Sequence, residues 1–408
     1  MTRLPTAGRA RRASTPRVPL VRDPHLSLYL LIAACVAADL SFVPLLPGLR
    51  ASRGLSGTEA ALLLSGGTVA MIIAPVPLGH LADRLGARRL LTGAGVLVTV
   101  ASVILATADG FVALLVGRIL IGLTNAIIWT AGAALVAGRP GAVARAIGAG
   151  GAGRLVGPLL ASALAGIAGA RAVFAAAAVL TLAATIVFHH ADREASTPAA
   201  SESVPRAAVG PLRPALRHPS VCAGGLGLLL LGFTEGAANL LAPAQLHAHG
   251  LTSAGIGALG TLAAAVAFGA VTLARRLVER YDPALLAASA ALALAVAWLI
   301  PAASASVPAV ASFLIAFAVA RTLLNPASYL LSREGATAAG AGTAITLGAT
   351  NLLLGAGGLT GPILASPGLS HPQLAEAAIA VLCLMSATAL ARTARQRIPQ
   401  PSQDQAPA

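Results

Sequence analysis

The chain has 408 residues, 57% of them hydrophobic and only 10% charged, with a mean hydropathy of +0.82. So much apolar surface excludes a soluble globular domain and marks a protein of the bilayer. A net charge of +14 invites a nucleic-acid reading, but aromatics make up only 3% and the basic residues gather in short segments between apolar runs, so a base-stacking surface is excluded.

Residues 1–26 are polar and Arg-rich, and the apolar run behind them has no convincing small-residue cleavage site. It is expected to stay as a first helix. A spanning helix needs about 20 apolar residues to cross ~30 Å of hydrocarbon. Twelve such runs are predicted, at 27–48, 60–80, 89–109, 111–137, 142–167, 170–189, 220–246, 253–274, 284–303, 306–332, 340–365 and 372–392. Within lipid the backbone must satisfy its own hydrogen bonds, so these runs are read as helices. Cys35, Cys222 and Cys383 fall inside the runs and are expected to be buried free thiols, with neither a disulfide nor a metal site.

With the N-terminus inside, Arg84, Arg88, Arg89, Arg139, Arg145, Arg193, Arg275, Arg276, Arg280 and Arg333 fall on cytoplasmic segments, while the external ones carry only Arg50, Arg53 and Arg171. That bias places both termini in the cytoplasm. The stretch 190–219 mixes Ala, Ser, Pro, Glu and Arg without periodicity and reads as a cytoplasmic linker. It separates two six-helix units, 27–189 and 220–392, with 393–408 as a cytoplasmic tail.

The two units are repeats. A shift of 196 positions lays Asp39 on Glu235, Pro47 on Pro243, Gly54-Leu55-Ser56 on Gly250-Leu251-Thr252, and Asp83-Arg84 on Glu279-Arg280. A slightly larger shift puts Arg118 on Arg321. A shift of 204 aligns Gly153 and Gly157-Pro158 with Gly357 and Gly361-Pro362.

Between the second and third runs lies Gly79-His-Leu-Ala-Asp83-Arg84-Leu-Gly86-Ala-Arg88-Arg89. It resembles the loop between helices 2 and 3 of the major facilitator superfamily, with Ala87 standing where that family usually has Arg. The resemblance extends over all twelve runs and implies two parallel six-helix bundles around a central substrate path. In the loop it implies a conformational switch, with Asp83 pairing with arginines in one of two states.

Five ionisable residues lie deep inside spans: Asp39, Arg118, Arg154, Glu235 and Arg321. Such residues are costly in lipid and are expected to face the bundle interior or a water-filled cavity. From a rise of ~1.5 Å per residue, Asp39 and Arg118 come to similar depths and can meet, while the other three fall near mid-membrane. Gly117-Arg118-Ile-Leu-Ile-Gly122 resembles the helix 4 motif of proton-coupled members, with Thr124 in place of its second Gly. That resemblance implies proton coupling by Arg118 with Asp39; the alternative is a permanent ion pair joining helices 1 and 4. Glu235 is read as a proton or substrate site, or as a polar contact satisfied by Arg321 or Asn239. Gly153-Arg154-Leu-Val-Gly157-Pro158 resembles the helix 5 signature of exporters, which implies close packing of helices 5 and 8. Arg154 departs from that signature; it either favours an anionic or carbonyl-bearing substrate or neutralises Asp39 or Glu235.

Trp129, Trp298, Phe233 and Tyr329 are candidate pocket linings, with packing as the alternative for each. His80, His189, His190 and His218 show no ligand spacing, and neither a Walker loop nor a catalytic triad occurs. The expectation is an all-α, multi-pass plasma (inner) membrane protein that is not an enzyme and uses no metal or cofactor beyond a coupling proton. It would export a small amphipathic drug or metabolite in exchange for protons, with proton-coupled uptake of an organic anion as the alternative. Its path is complete within one chain, so a monomer is expected.

Overall fold

The computed structural model describes residues 25–74, 77–78, 81, 84–136, 141–194, 212–341 and 343–397. The first half has α1 (Leu26–Arg53), α2 (Gly57–Ile73), α3 (Ala87–Thr107), α4 (Phe111–Val136), and α5 (142–168) followed by α6 (170–194). The second has α7 (Pro219–Ala248), α8 (Ser253–Arg280), α9 (Pro283–Ala303), α10 (Val307–Ala338), α11 (Thr343–Ala365) and α12 (Pro372–Arg397). Among the described residues, ten segments are long and apolar enough to cross a membrane; dividing Ala144–Ala191 at Gly169 and adding the shorter α2 gives the expected twelve.

Several ends differ from the expected ones. α6 runs to Glu194 and a short helix spans Leu212–Arg217, so the described parts of the 190–219 stretch are largely helical. α8 reaches Arg280, α10 reaches Ala338 and α12 reaches Arg397, because Arg and Glu side chains extend these helices past their apolar stretches. Glu279, which the repeat shift lays on Asp83, pairs with Arg275 along the exposed face of α8, Nε to Oε1 at 2.9 Å. Of the switch loop, Arg84, Gly86 and Arg88 are described, while Gly79 and Asp83 lie outside the described residues.

Backbone chemistry explains the breaks. α1 divides at Ser41 into Leu26–Leu40 and Phe42–Arg53. Pro44 has no N–H to give the carbonyl of Leu40, four residues back, and its ring crowds that carbonyl. The kink therefore falls directly after Asp39. Pro44 has Leu240 as its repeat mate, and α7 accordingly runs unbroken from Pro219 to Ala248. α5 passes into α6 without a loop because Gly169 takes φ 73° and ψ −178°, a conformation closed to residues with a Cβ.

The repeated Gly-Leu-Ser/Thr triplets serve as matching stop and start signals. Gly54 and Gly250 have φ of 63° and 84°, ending one helix, and Ser56 and Thr252 cap the next through the backbone N–H groups of Glu59 and Gly255. At Ser56 the Glu59 carboxylate returns the contact, completing a capping box.

The packing repeats as well: α5 lies on α1 as α11 lies on α7, and the halves meet where α5 faces α8 and α2 faces α11. The glycines of the helix 5 motif do not serve the α5–α8 contact. A Cβ at Gly153 would stand 2.8 Å from Val36 Cβ, and one at Gly157 2.6 Å from the carbonyl oxygen of Ala37, so both glycines seat α1. Pro158 and Ser162 face α8, where Gly257 and Gly260 make room for them. Gly357 and Gly361 likewise admit the backbone of α7 around Phe233, and Pro362 packs on Gly236.

At the end carrying Gly54 and Gly250 the halves are pressed together. Gly48 abuts Ser253, Gly57 abuts Leu369, and the second segment of α1 packs on α7 and α8. At the other end, among the described residues, α4 and α10 do not pack on each other.

Candidate functional site

Asp39 and Arg118 meet as their depths predict, with Arg118 Nη1 donating to Asp39 Oδ1 at 2.6 Å. The sequence did not show how completely this pair is enclosed. Arg118 Nε donates to the Leu63 carbonyl at 3.1 Å, Nη1 also reaches the Asp39 carbonyl at 3.3 Å, and its guanidinium stacks 4.7 Å from the centre of the Phe42 ring. Gly122 lets α4 approach α2 at Gly67, where no Cβ would fit, and so brings Arg118 within reach of Leu63. Asn125, one turn past Gly122 on α4, donates to the second Asp39 oxygen at 3.0 Å. Both oxygens of Asp39 are thus held from within its own half, and the Arg118 side chain is only 6% exposed.

Glu235, the repeat mate of Asp39, makes the contact with Arg321 that the sequence offered as one of its readings. Arg321 Nη1 donates to Glu235 Oε1 at 2.6 Å, reproducing the Arg118–Asp39 pair in the second half. Arg154 Nη1 donates to that same oxygen, also at 2.6 Å, from α5 of the other half. Two guanidiniums therefore share one carboxylate oxygen across the interface, leaving the centre with one positive charge in excess. Arg154 bonds to Glu235, and its charge also reaches Asp39. Its side chain is 40% exposed, the most open of the three arginines. Asn239 makes no hydrogen bond to Glu235 and is half-buried one turn further along α7.

The aromatic candidates separate. Trp129 is 38% exposed and lies over Gly150 of α5, where a Cβ would come within 3.1 Å of its ring. Tyr329 donates to Asn351 Oδ1, joining α10 to α11, and Asn351 is exposed. Phe233 packs against the apolar core, and Trp298 is fully buried with Phe313 and Phe317, at 4.6 and 6.4 Å between ring centres. Trp298 is thus core and not lining.

Two buried-group expectations need correction. Cys35 and Cys383 are buried, but Cys222 is exposed on the first turn of α7. One more acid is buried within a span, Glu376 on α12 at 1% exposure, accepting a hydrogen bond from Gln245 of α7. It lies near the start of its apolar run, where an acid reads as a helix end, and was missed for that reason.

Residues 28–362 match the model of the Major Facilitator Superfamily. The MFS-type transporter ppzB of Metarhizium rileyi is 38% identical over 117 residues, which is 27% of this chain. The match spans about a quarter (24%) of that curated relative. Among solved structures, a bacterial homolog of the human lysosomal transporter Spinster, inward-facing and unoccupied, superposes with a TM-score of 0.75 at 16% identity, covering 93% of this chain and 98% of its own. The nucleoside transporter NupG, solved as a point mutant, gives 0.72 at 14% identity over 91% and 100%. The human organic anion transporter MFSD10 gives 0.66 at 18% identity over 91% and 99%.

Proposed function

The chain belongs to the major facilitator superfamily, and from that premise we propose a proton-coupled secondary transporter that exports a small amphipathic compound by alternating access. Membrane transport itself follows from the family and the fold. In this reading the arginine bias of the loops puts the pressed end of the bundles outside and the other end in the cytoplasm, an inward-facing arrangement.

One observation supports the coupling more than any other: Glu235 is bonded at once to its own half through Arg321 and to the opposite half through Arg154. Ionised, the carboxylate clamps the centre. Once it takes up a proton, the charge attraction to both guanidiniums is lost and the halves lose a tie across the path. A ligand or proton shifts a two-state equilibrium only through different interactions with the two states, and this bond exists in one of them. In this scheme protonation from the outside and release to the cytoplasm alternate with substrate bound against Arg154, Trp129, Tyr329 and Asn351. Asp39 and Arg118 then move as a unit within the first half.

Accumulation of dyes and drugs in an efflux-deficient bacterium tests the scheme, comparing the protein with Glu235→Gln at equal expression. Lower accumulation that a protonophore or Glu235→Gln abolishes is the expected result. Equal accumulation with wild type, variant and empty vector for every compound would overturn export.

The excess positive charge at the centre supports a second reading, uptake of a small organic anion with a proton. There the anion would take the place of the protonated Glu235 between Arg154 and Arg321. Uptake of an organic anion into proteoliposomes, driven by an inward proton gradient, is the result that this reading expects.

A further inference from the structure

A cavity of about 290 Å³ lies away from the central site, at the end where the halves are pressed together. Leu46 and Arg50 of α1 and Leu240, Ala244 and His247 of α7 line it, with Leu369 closing one side. Its walls are aliphatic, and the two polar side chains among them, Arg50 and His247, are both basic. The hydrogen bond that Arg50 makes uses Nε, to the Leu55 carbonyl at 3.2 Å, and leaves both terminal nitrogens available. His247 has Nδ1 3.3 Å from the Leu251 carbonyl and keeps its other ring nitrogen for a ligand. The acids of this end are engaged elsewhere: Glu59 caps α2 through Ser56, Asp109 is paired with Arg53 and Arg171, and Glu376 accepts from Gln245.

We propose that this cavity is a regulatory site for a small amphipathic carboxylate entering from the pressed face. A guanidinium fork matches a carboxylate in two parallel hydrogen bonds, and an aliphatic slot accepts a short apolar tail. The volume is at the lower limit of about 300 Å³ for ligand pockets, so the ligand is small, such as a short fatty acid or a single-ring aromatic acid. The walls come from both halves, and the cavity therefore exists only while this end is closed. A ligand held there binds one conformation alone, stabilises it and slows transport. Binding at this site is independent of which ion or substrate uses the central one.

The probe is sodium octanoate, titrated calorimetrically into the full chain in nanodiscs of zwitterionic phosphatidylcholine, with octylamine as the charge-reversed control. The expected result is saturable octanoate binding that Arg50→Gln weakens at least tenfold, that Ala244→Phe abolishes by filling the slot, and that octylamine does not reproduce. Transport in proteoliposomes should fall by half or more at saturating octanoate in the wild type and hold in Arg50→Gln. If Ala244→Phe fails to fold, His247→Gln takes its place, with a weaker loss of about threefold. Undiminished octanoate binding by Arg50→Gln, equal binding of octylamine, or no binding at millimolar octanoate would each overturn the assignment.

Discussion

Asp39 and Glu235 occupy equivalent places in the two repeats, each with an arginine at 2.6 Å on the helix equivalent to its mate's, yet their surroundings differ at every other point. Asn125 completes Asp39 from within the first half, whereas its repeat counterpart on α10 is Ser328, whose buried hydroxyl has no hydrogen-bond partner among the described residues. Arg154 completes Glu235 from the opposite half, whereas its counterpart on α11 is Gly358, which packs on Thr68 and offers Asp39 nothing. α1 is kinked by Pro44 right after its carboxylate, and α7 runs straight through. The two carboxylates are about equally exposed, at 26% and 23%, and differ in their partners: the first pair is a strut within one half, the second a contact between halves. Rocking the halves leaves every Asp39 bond intact and has to remake the bond between Glu235 and Arg154. On the proposed scheme, the first carboxylate serves stability and the second serves coupling.

The sharpest way to break that comparison is to neutralise each acid in turn. Asp39→Asn strips a buried guanidinium of its counter-charge, a change that typically costs about 3–5 kcal/mol. Its expected outcome is poor yield and a thermal midpoint lowered by many degrees in detergent, with the loss of transport following from the loss of folded protein. Glu235→Gln leaves behind two arginines that are more open than Arg118, so it should fold almost normally and lose proton-driven flux by about 100-fold while substrate exchange without a gradient survives. The pair of results is read by thermal denaturation and by flux in proteoliposomes with and without a pH gradient. A stable but uncoupled Asp39→Asn, or an unfolded Glu235→Gln, would reverse the two roles.

Most of this contrast was legible from the residues, and the part that was not has a definite cause. Depth counting along α1 and α4 brought Asp39 to Arg118, because both lie in one half whose helices are tied by short loops. Applying the repeat shifts to that pair yields Glu235 with Arg321 directly, so the second pair was also present in the chain. Arg154 with Glu235 was not, since a bond between halves depends on how the bundles are rotated, which no sequence spacing fixes. The helix 5 glycines carried a clue of another kind. Gly153 and Gly157 are four apart and share one face, while Pro158 lies about 100° further round, so they cannot all serve one neighbour. The structure divides them as that geometry requires, glycines to α1 and proline to α8. Gly79 and Asp83, the heart of the loop resemblance, lie outside the described residues and leave the switch as an expectation of the family.

A smaller effect sharpens the inter-half role. Arg154→Gln keeps Glu235 paired with Arg321 and removes only the tie between halves. The Arg154 side chain is 40% exposed, so its contact is worth no more than about 1 kcal/mol after screening. The expected shift is therefore about fivefold toward conformations open at the Gly54 end. Spin labels on Ser52 of α1 and Ala248 of α7, both exposed and on opposite halves, report it as a growing long-distance population. An unchanged distance distribution would make the Arg154 contact incidental to the transition.

The smallest expected effect separates the cavity wall from the clamp. Tyr329 reaches no charged group; its hydroxyl donates to Asn351 across the gap between α10 and α11. Tyr329→Phe deletes that one hydrogen bond and keeps the ring. A neutral hydrogen bond contributes about 1 kcal/mol, and Asn351 is exposed enough for water to replace the lost donor. The apparent KM for substrate should rise two- to threefold, while the pH dependence of flux stays that of the wild type. Should the pH profile move instead, the hydroxyl would belong to the proton path, and coupling would reach beyond Glu235 and its two arginines into α10 and α11.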